Sequence, residues 1–305
     1  MLRHLTAACL LSVTLAVPAW SADERSVELK TRENAIDVTI GGQLFTTLRL
    51  DKSQPKPYFF PVLAADGAMI CRPLENPEDH PHHKGIWCSI DEVNGIKFWA
   101  EKGKIVNHEA TVVTATGNPA RIKVVNHWLG EDGQPVVTES AEFAIFADRF
   151  IAYDATFTAG AKPVTFDDTK EGMFGMRVAN SMRGNSGGQI VNAEGLKTEK
   201  ECWGQESKWV DYTGLVEGKT YGVTLIDHPL NFRKSRFHVR NYGLFTVSPF
   251  GQHAYTNGKL PKHPFNVLDA GKSFRLRYGL YIHPGNTEQA NVPASYDADL
   301  QAAGQ

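Results

Sequence analysis

Along most of this chain apolar and polar residues alternate with a period of two, and helical periodicity is scarce. Arg121-Ile122-Lys123-Val124-Val125-Asn126-His127 alternates before slipping by one residue. Phe143-Ala144-Ile145-Phe146 and Phe150-Ile151-Ala152-Tyr153-Asp154-Ala155-Thr156-Phe157 read as neighbouring strands, with Asp148-Arg149 as the tight turn between them. Residues 221–226, 243–247 and 274–282 read the same way. The last of these carries a polar face at Arg275 and Arg277 and an apolar face at Phe274, Leu276 and Tyr278. Turn signals such as Gly41-Gly42, Gly117-Asn118-Pro119 and Glu131-Asp132-Gly133 separate the runs. Many strands, few helices and no βαβ alternation predict an all-β fold, a large antiparallel β-sandwich. No Pro/Gly/Ser linker divides the chain, so residues 22–285 are expected to form a single β-sandwich domain, followed by a loosely held polar C-terminal tail over 286–305.

The opening segment reads as an address. Arg3 and His4 precede an apolar run over residues 5–17, and Ala19 and Ser21 are the small residues a signal peptidase reads. Residues 1–21 are therefore expected to be a signal peptide, and the protein periplasmic or secreted. No later stretch reaches the roughly 18 apolar residues of a membrane span, so none is expected in the mature chain. Charge changes the picture by exclusion: 32 Lys and Arg against 34 Asp and Glu give −2, no electrostatic reason to bind nucleic acid. Of 4 cysteines, Cys9 leaves with the leader; Cys71, Cys88 and Cys202 allow at most one disulfide. No C-x-x-C, P-loop, G-x-G-x-x-G, G-x-S-x-G or H-E-x-x-H occurs, so no nucleotide cofactor is expected.

Three polar groups carry candidate chemistry. The densest spans residues 72–87 and places His80, His82 and His83 within four positions, flanked by prolines. Pro81 is expected to push His80 into an extended conformation. Histidine suits proton transfer because it titrates near neutrality. His80 and His82 also have the i, i+2 spacing of metal ligands, with Glu75, Asp79 or Glu171 as distant partners. Metal binding, sugar hydrogen bonding with acid–base chemistry, and a structural loop all remain open for this segment, and a divalent metal stays open as a cofactor. The second group is Glu171 and Arg177, six residues apart around an apparent strand and able to share a cleft. The third is Asp227, His228 and Asn231 at the end of a strand, followed by His238 and Arg240 at i, i+2 spacing. Trp87, Trp99, Trp203 and Trp209 lie close to these groups in sequence. Tryptophan beside His, Asp, Glu and Arg is what a carbohydrate cleft uses, the ring packing on C–H faces while polar groups fix hydroxyls.

Asp79-His80-Pro81-His82-His83-Lys84-Gly85-Ile86-Trp87, Lys170-Glu171-Gly172 with Arg177, Trp209-Val210-Asp211-Tyr212, and His238-Val239-Arg240-Asn241-Tyr242-Gly243 occur in this order, with Arg277-Tyr278-Gly279-Leu280-Tyr281-Ile282-His283 closing the set. Over roughly residues 30–285 this pattern resembles a large family of secreted bacterial proteins often labelled "methane oxygenase PmoA", whose activity is unassigned. A particulate methane monooxygenase subunit spans the membrane, so methane oxidation is not expected of a chain without a span. The resemblance implies a setting among polysaccharide-degrading bacteria. The all-β pattern also resembles the galactose mutarotase-like supersandwich. Asp227-His228-Pro229-Leu230-Asn231-Phe232 is similar to the segment of aldose epimerases whose histidine is a general acid, which would give His228 that role; the epimerase's C-terminal glutamate has no counterpart here.

The functional expectation is an exported carbohydrate-active enzyme, a sugar isomerase or epimerase or a glycoside hydrolase or lyase, on a small-molecule or oligosaccharide substrate. His82, His83, Glu171, His228 and His238 are its candidate proton-transfer groups, and His80, Trp87, Trp99, Arg177, Trp209, Asp227, Asn231 and Arg240 its candidate substrate contacts. Two alternatives stand beside it: a non-catalytic carbohydrate-binding protein, and a metal-dependent enzyme using the His80, His82 and His83 cluster.

Overall fold

The computed structural model describes residues 26–263, 266–294 and 296; the expected leader and the last residues of the expected tail lie outside them. In chain order the first strands are β1 (Val27–Arg32), β2 (Ala35–Ile40), β3 (Gln43–Arg49), β4 (Tyr58–Val62), β5 (Ile86–Ile90) and β6 (Lys104–Thr114). Next come β7 (Thr116–Gly117), β8 (Ala120–Leu129), β9 (Pro135–Ile145), β10 (Phe150–Ala159), β11 (Val164–Thr165), β12 (Gly172–Arg177) and β13 (Gln189–Asn192). A short helix α1 (Thr198–Cys202) precedes β14 (Trp209–Val216), β15 (Lys219–Asp227), β16 (Arg236–Val239) and β17 (Leu244–Ser248). A second, α2 (Gln252–Tyr255), precedes β18 (Val267–Leu268) and β19 (Ser273–Pro284).

Two sheets dominate. One has nine strands in the order β16-β17-β12-β5-β4-β3-β2-β1-β7, the other eight in the order β13-β14-β15-β19-β10-β9-β8-β6. Every strand pairing among the described residues is antiparallel. The fold is thus the all-β antiparallel sandwich that the alternation predicts. The hairpin read at residues 143–157 is β9–β10, turned at Arg149 with a positive φ of 71°. Beyond Pro284 the polar stretch is anchored, with Val292 and Tyr296 buried against Trp209 and Ile226. Cys71, Cys88 and Cys202 are all free thiols. Among the described residues no helix is long and apolar enough to cross a membrane.

Alternation divides each strand between two faces. On β5 and β12, Ile86, Ile90, Phe174 and Met176 join the main core, where Phe174 stacks on Tyr153 of the facing sheet at 4.7 Å. The opposite, outer face of the nine-stranded sheet carries a row fixed by register: Tyr58 pairs with Trp87, Trp87 with Gly175, Gly175 with Thr246 and Thr246 with His238. At its centre Gly175 has no side chain because there is no room for one: a Cβ there would lie 2.1 Å from the Phe245 carbonyl oxygen. Trp87, Tyr58, Trp99 and Leu244 form a separate apolar cluster on this outer face.

Candidate functional site

Over that outer face lies the histidine loop, held by buried cations through its own carbonyls. The Arg72 guanidinium donates to Asp79 O and Oδ1 at 2.8 and 2.7 Å, to His80 O at 2.8 Å and to His83 O at 3.1 Å. Lys56 Nζ donates to His82 O at 2.8 Å and to Glu101 Oε1 at 2.6 Å. Arg177, at the end of β12, grips both oxygens of Asp79 at 2.9 and 3.1 Å. Bidentate pairs of this kind fix orientation as well as charge. The grip overrides the local preference at His80, which has a left-handed φ of 40° and not the extended conformation expected before a proline. Such a conformation costs a non-glycine residue about 1–3 kcal/mol and persists only where its surroundings impose it.

The rings of this loop form a column. Tyr242, His80, His83 and Trp87 stack in succession at centroid separations of 5.2, 4.8 and 5.4 Å, with planes within 16° of parallel. His82 stands edge-on to His80 and His83. Arg177 Nη1 lies 3.3 Å from His83 Nδ1; as the guanidinium only donates, Nδ1 accepts and the hydrogen sits on Nε2. Burial and the neighbouring rings and guanidinium groups hold His83 far below the usual imidazole range, neutral at any physiological pH. Burial, then Lys56 and His80, lower His82 to about 4. At Asp79 burial works upward, but Arg177 and His80 outweigh it and the group stays a carboxylate.

The adjoining half of the site is built on β12, β16 and the segment after β16. Tyr255 OH donates to the Lys170 carbonyl at 2.7 Å, which fixes the chain just ahead of Glu171. Glu171 Oε2 faces His238 Nδ1 at 3.7 Å. Arg240 Nε donates to His238 Nε2 at 2.9 Å, so the hydrogen of this imidazole sits on Nδ1, toward Glu171. Among the described residues, that buried Nδ1 makes no well-formed hydrogen bond and leans on the Lys170 backbone. Burial, then Arg240 and Lys170, lower His238 to about 3. Burial raises the Glu171 carboxyl, against the pull of Lys170 and Arg240. Arg240 is anchored by Glu199 Oε1 at 2.9 Å and lies over the Trp203 ring at 5.3 Å. The two halves meet where Tyr242, two residues after Arg240, stacks on His80 at 5.2 Å.

The structure thus brings together His80, His82, His83, Trp87, Trp99, Glu171, Arg177, His238 and Arg240 on one face. It does not bring Asp227, His228, Asn231 or Trp209 there. Asp227 closes a turn, its carboxylate taken by Ser235 N and Oγ and by Asn231 Nδ2 at 2.8, 3.0 and 2.7 Å. Asn231 Oδ1 accepts from Arg277 N at 2.6 Å, which ties the turn to β19 of the other sheet. His228 Nδ1 accepts from Leu230 N at 3.1 Å, and burial, then Arg277, lower its pKa. Trp209 packs against Ile226 and Tyr296. A position at a strand end indicates a loop but not which sheet face the loop serves, and these four serve the eight-stranded sheet. The sequence does not single out Lys56, Glu101, Glu199 or Tyr255, which stand beside no motif, and Tyr242 lies within the His238–Gly243 segment without being a candidate. Among the described residues no three His, Cys, Asp or Glu groups converge as metal ligands. The histidines present stacked faces to one another, and an arginine takes His83 Nδ1.

These features define an antiparallel β-sandwich protein with a cluster of polar and aromatic side chains on the outer face of its nine-stranded sheet. The chain belongs to the DUF6807 family, a family of unknown function, whose model matches residues 35–297. That match brings a family and no activity, and the oxygenase label implied by the motif resemblance is not part of it. No curated protein matches the chain. Among solved structures, the crystal structure of galactose 1-epimerase from Lactobacillus acidophilus NCFM is similar at 9% identity and a TM-score of 0.42, covering 86% of this chain and 98% of that one. The likeness is too remote to transfer a residue or an activity.

Proposed function

We propose that the protein is a carbohydrate-active enzyme, exported by its leader, in which Glu171 moves a proton and His238 donates a hydrogen bond to the reacting sugar. One observation carries the reading: Glu171 and His238 face each other at 3.7 Å with opposite displacements, the carboxyl raised and the imidazole lowered and fixed as a donor. Burial acting on both leaves an uncharged imidazole donor beside a carboxylate strengthened as a base. A carboxylate near the ordinary glutamate value is a weak base at neutral pH, and a raised one is stronger. The neutral His238 Nδ1–H suits a sugar oxygen on which negative charge develops, and Trp203 and Tyr242, the end ring of the column, supply aromatic surface nearby.

Proton NMR of the purified protein with mono- and oligosaccharides, oxidised sugars included, tests this. Anomeric exchange or new resonances that vanish in Glu171→Gln, a loss of about 10²–10⁴-fold for a proton-transfer group, would support it. Conversion undiminished in Glu171→Gln would refute the assignment. A second reading, a carbohydrate-binding protein without turnover, is favoured by the partly exposed edges of Tyr242, His80 and His82, which need no change of protonation to hold a sugar. Line broadening of sugar resonances with no conversion would select it.

A further inference from the structure

The charges around the histidine loop do not balance. At one end two guanidinium groups, Arg72 and Arg177, share the single carboxylate of Asp79 at 2.7 and 2.9 Å. At the other, two ammonium groups, Lys56 and Lys84, share the single carboxylate of Glu101 at 2.6 and 3.1 Å. Each triad carries a formal charge of +1, and both clamp the same loop, Arg72 through the carbonyls of Asp79, His80 and His83 and Lys56 through that of His82. The cations are deep: the side chains of Lys56, Arg72 and Arg177 are 1%, 5% and 1% exposed. Burying positive charge without a full complement of negative charge is costly, and water screens it little at such depth.

The donors are in surplus as well. Arg72 Nε, Arg177 Nε and His83 Nε2 are buried without a hydrogen-bond partner among the described residues, and all three carry hydrogen. These donors are sealed from solvent and leave the cluster's positive charge uncompensated from within, which favours an anion at its solvent-facing edge. Between the triads the loop offers a solvent-facing surface. His80 has 42% of its side chain exposed, His82 is half-buried, and Lys84 is 16% exposed beside the Tyr58 ring.

We infer that the ligand of this site is an acidic sugar, a uronic acid or a uronate-bearing oligosaccharide, whose carboxylate sits at His80, His82 and Lys84 between the two cationic triads. This rests on the carbohydrate reading above and adds the charge. A carboxylate there offsets one of the two surplus positive charges and accepts from the imidazole and ammonium donors, while its ring lies toward Tyr242 and the Glu171–His238 pair. The neutrality of His82 fits a donor that does not compete with the lysines for the anion.

Isothermal titration calorimetry of the purified protein tests it with D-glucuronate, D-galacturonate, the methyl ester of each at C6, and acetate. The esters keep the ring and remove the charge; acetate keeps the charge and removes the ring. A uronate is expected to bind about 10- to 100-fold more tightly than its ester, the gain from a charge-assisted hydrogen bond. Lys84→Met, which leaves a neutral Lys56–Glu101 pair, is expected to erase most of that difference while leaving the ester unchanged. Raised salt should weaken the uronate more than the ester. Equal affinity for uronates and esters would overturn the inference and leave the carbohydrate reading standing. Acetate binding as tightly as the uronates, or no binding by any of the five, would overturn the inference, while the carbohydrate reading stands or falls by the NMR panel.

Discussion

A neutral imidazole offers one donor and one acceptor, and the arginine beside each of His83 and His238 occupies the acceptor. These two histidines are therefore donors, and of the proton-transfer groups on this face Glu171 is the one whose displacement suits a base. The pH dependence follows. Base chemistry by Glu171 needs the carboxylate, so activity falls as pH drops through its raised pKa, and the acid limb of kcat/KM lies above the ordinary glutamate value of about 4.3. Arg240 pulls that pKa down. Arg240→Met removes a positive charge beside a carboxylate, which raises its pKa, so the limb should move to higher pH. A rate profile of wild type and variant on the same substrate checks this. A limb that stays in place while only the amplitude falls would reduce Arg240 to a scaffold for Trp203 and Glu199.

At the scale of strands and loops, the row Tyr58, Trp87, Gly175, Thr246, His238 is what carries the site, and Gly175 lets β12 lie close to β17. Gly175→Ala would push a methyl group against backbone, 2.1 Å from Phe245 O and 2.6 Å from Thr246 Cα, where no side-chain rotation relieves it. A loss of about 2–4 kcal/mol is expected in urea unfolding, with Trp87 and His238 displaced. Wild-type stability in this variant would show that the strands part freely. The β9–β10 hairpin and the shared face of His238 and Arg240 were legible because alternation and i, i+2 spacing are local. Lys56 and Glu101 were not, because they reach the loop from 26 residues before His82 and from 45 residues after Lys56 through pairings that only the tertiary fold creates. His228 and Trp209 were misplaced for the same reason: nearness in sequence to the site's residues does not say which of two sheets a side chain covers.

Across the whole molecule the two sheets enclose a core that contains a carboxyl group the site does not use. Glu139 on β9 is 2% exposed and accepts hydrogen bonds from Trp128 Nε1 at 3.0 Å and Tyr153 OH at 2.8 Å. Both donors are neutral, and burial raises its pKa. For a carboxyl group raised in the folded state, the stability contribution is present in full below the unfolded value and is lost as pH rises through the folded one. The fold thus gives up stability between mildly acidic and alkaline pH through this one side chain. Asp227, raised to about 6 by its own burial, acts in the same direction, so the slope of the wild type alone does not isolate Glu139. Glu139→Gln does. The amide cannot ionise, keeps a carbonyl for the Trp128 donor, and leaves the Tyr153 hydroxyl free to turn and accept. The melting temperature of the variant minus that of the wild type should be small near pH 5 and increasingly positive toward pH 8. A difference that is flat with pH would mean that Glu139 ionises in the fold as readily as in the unfolded chain. A difference that shrinks with pH would mean that the core stabilises the carboxylate, against the burial that surrounds it.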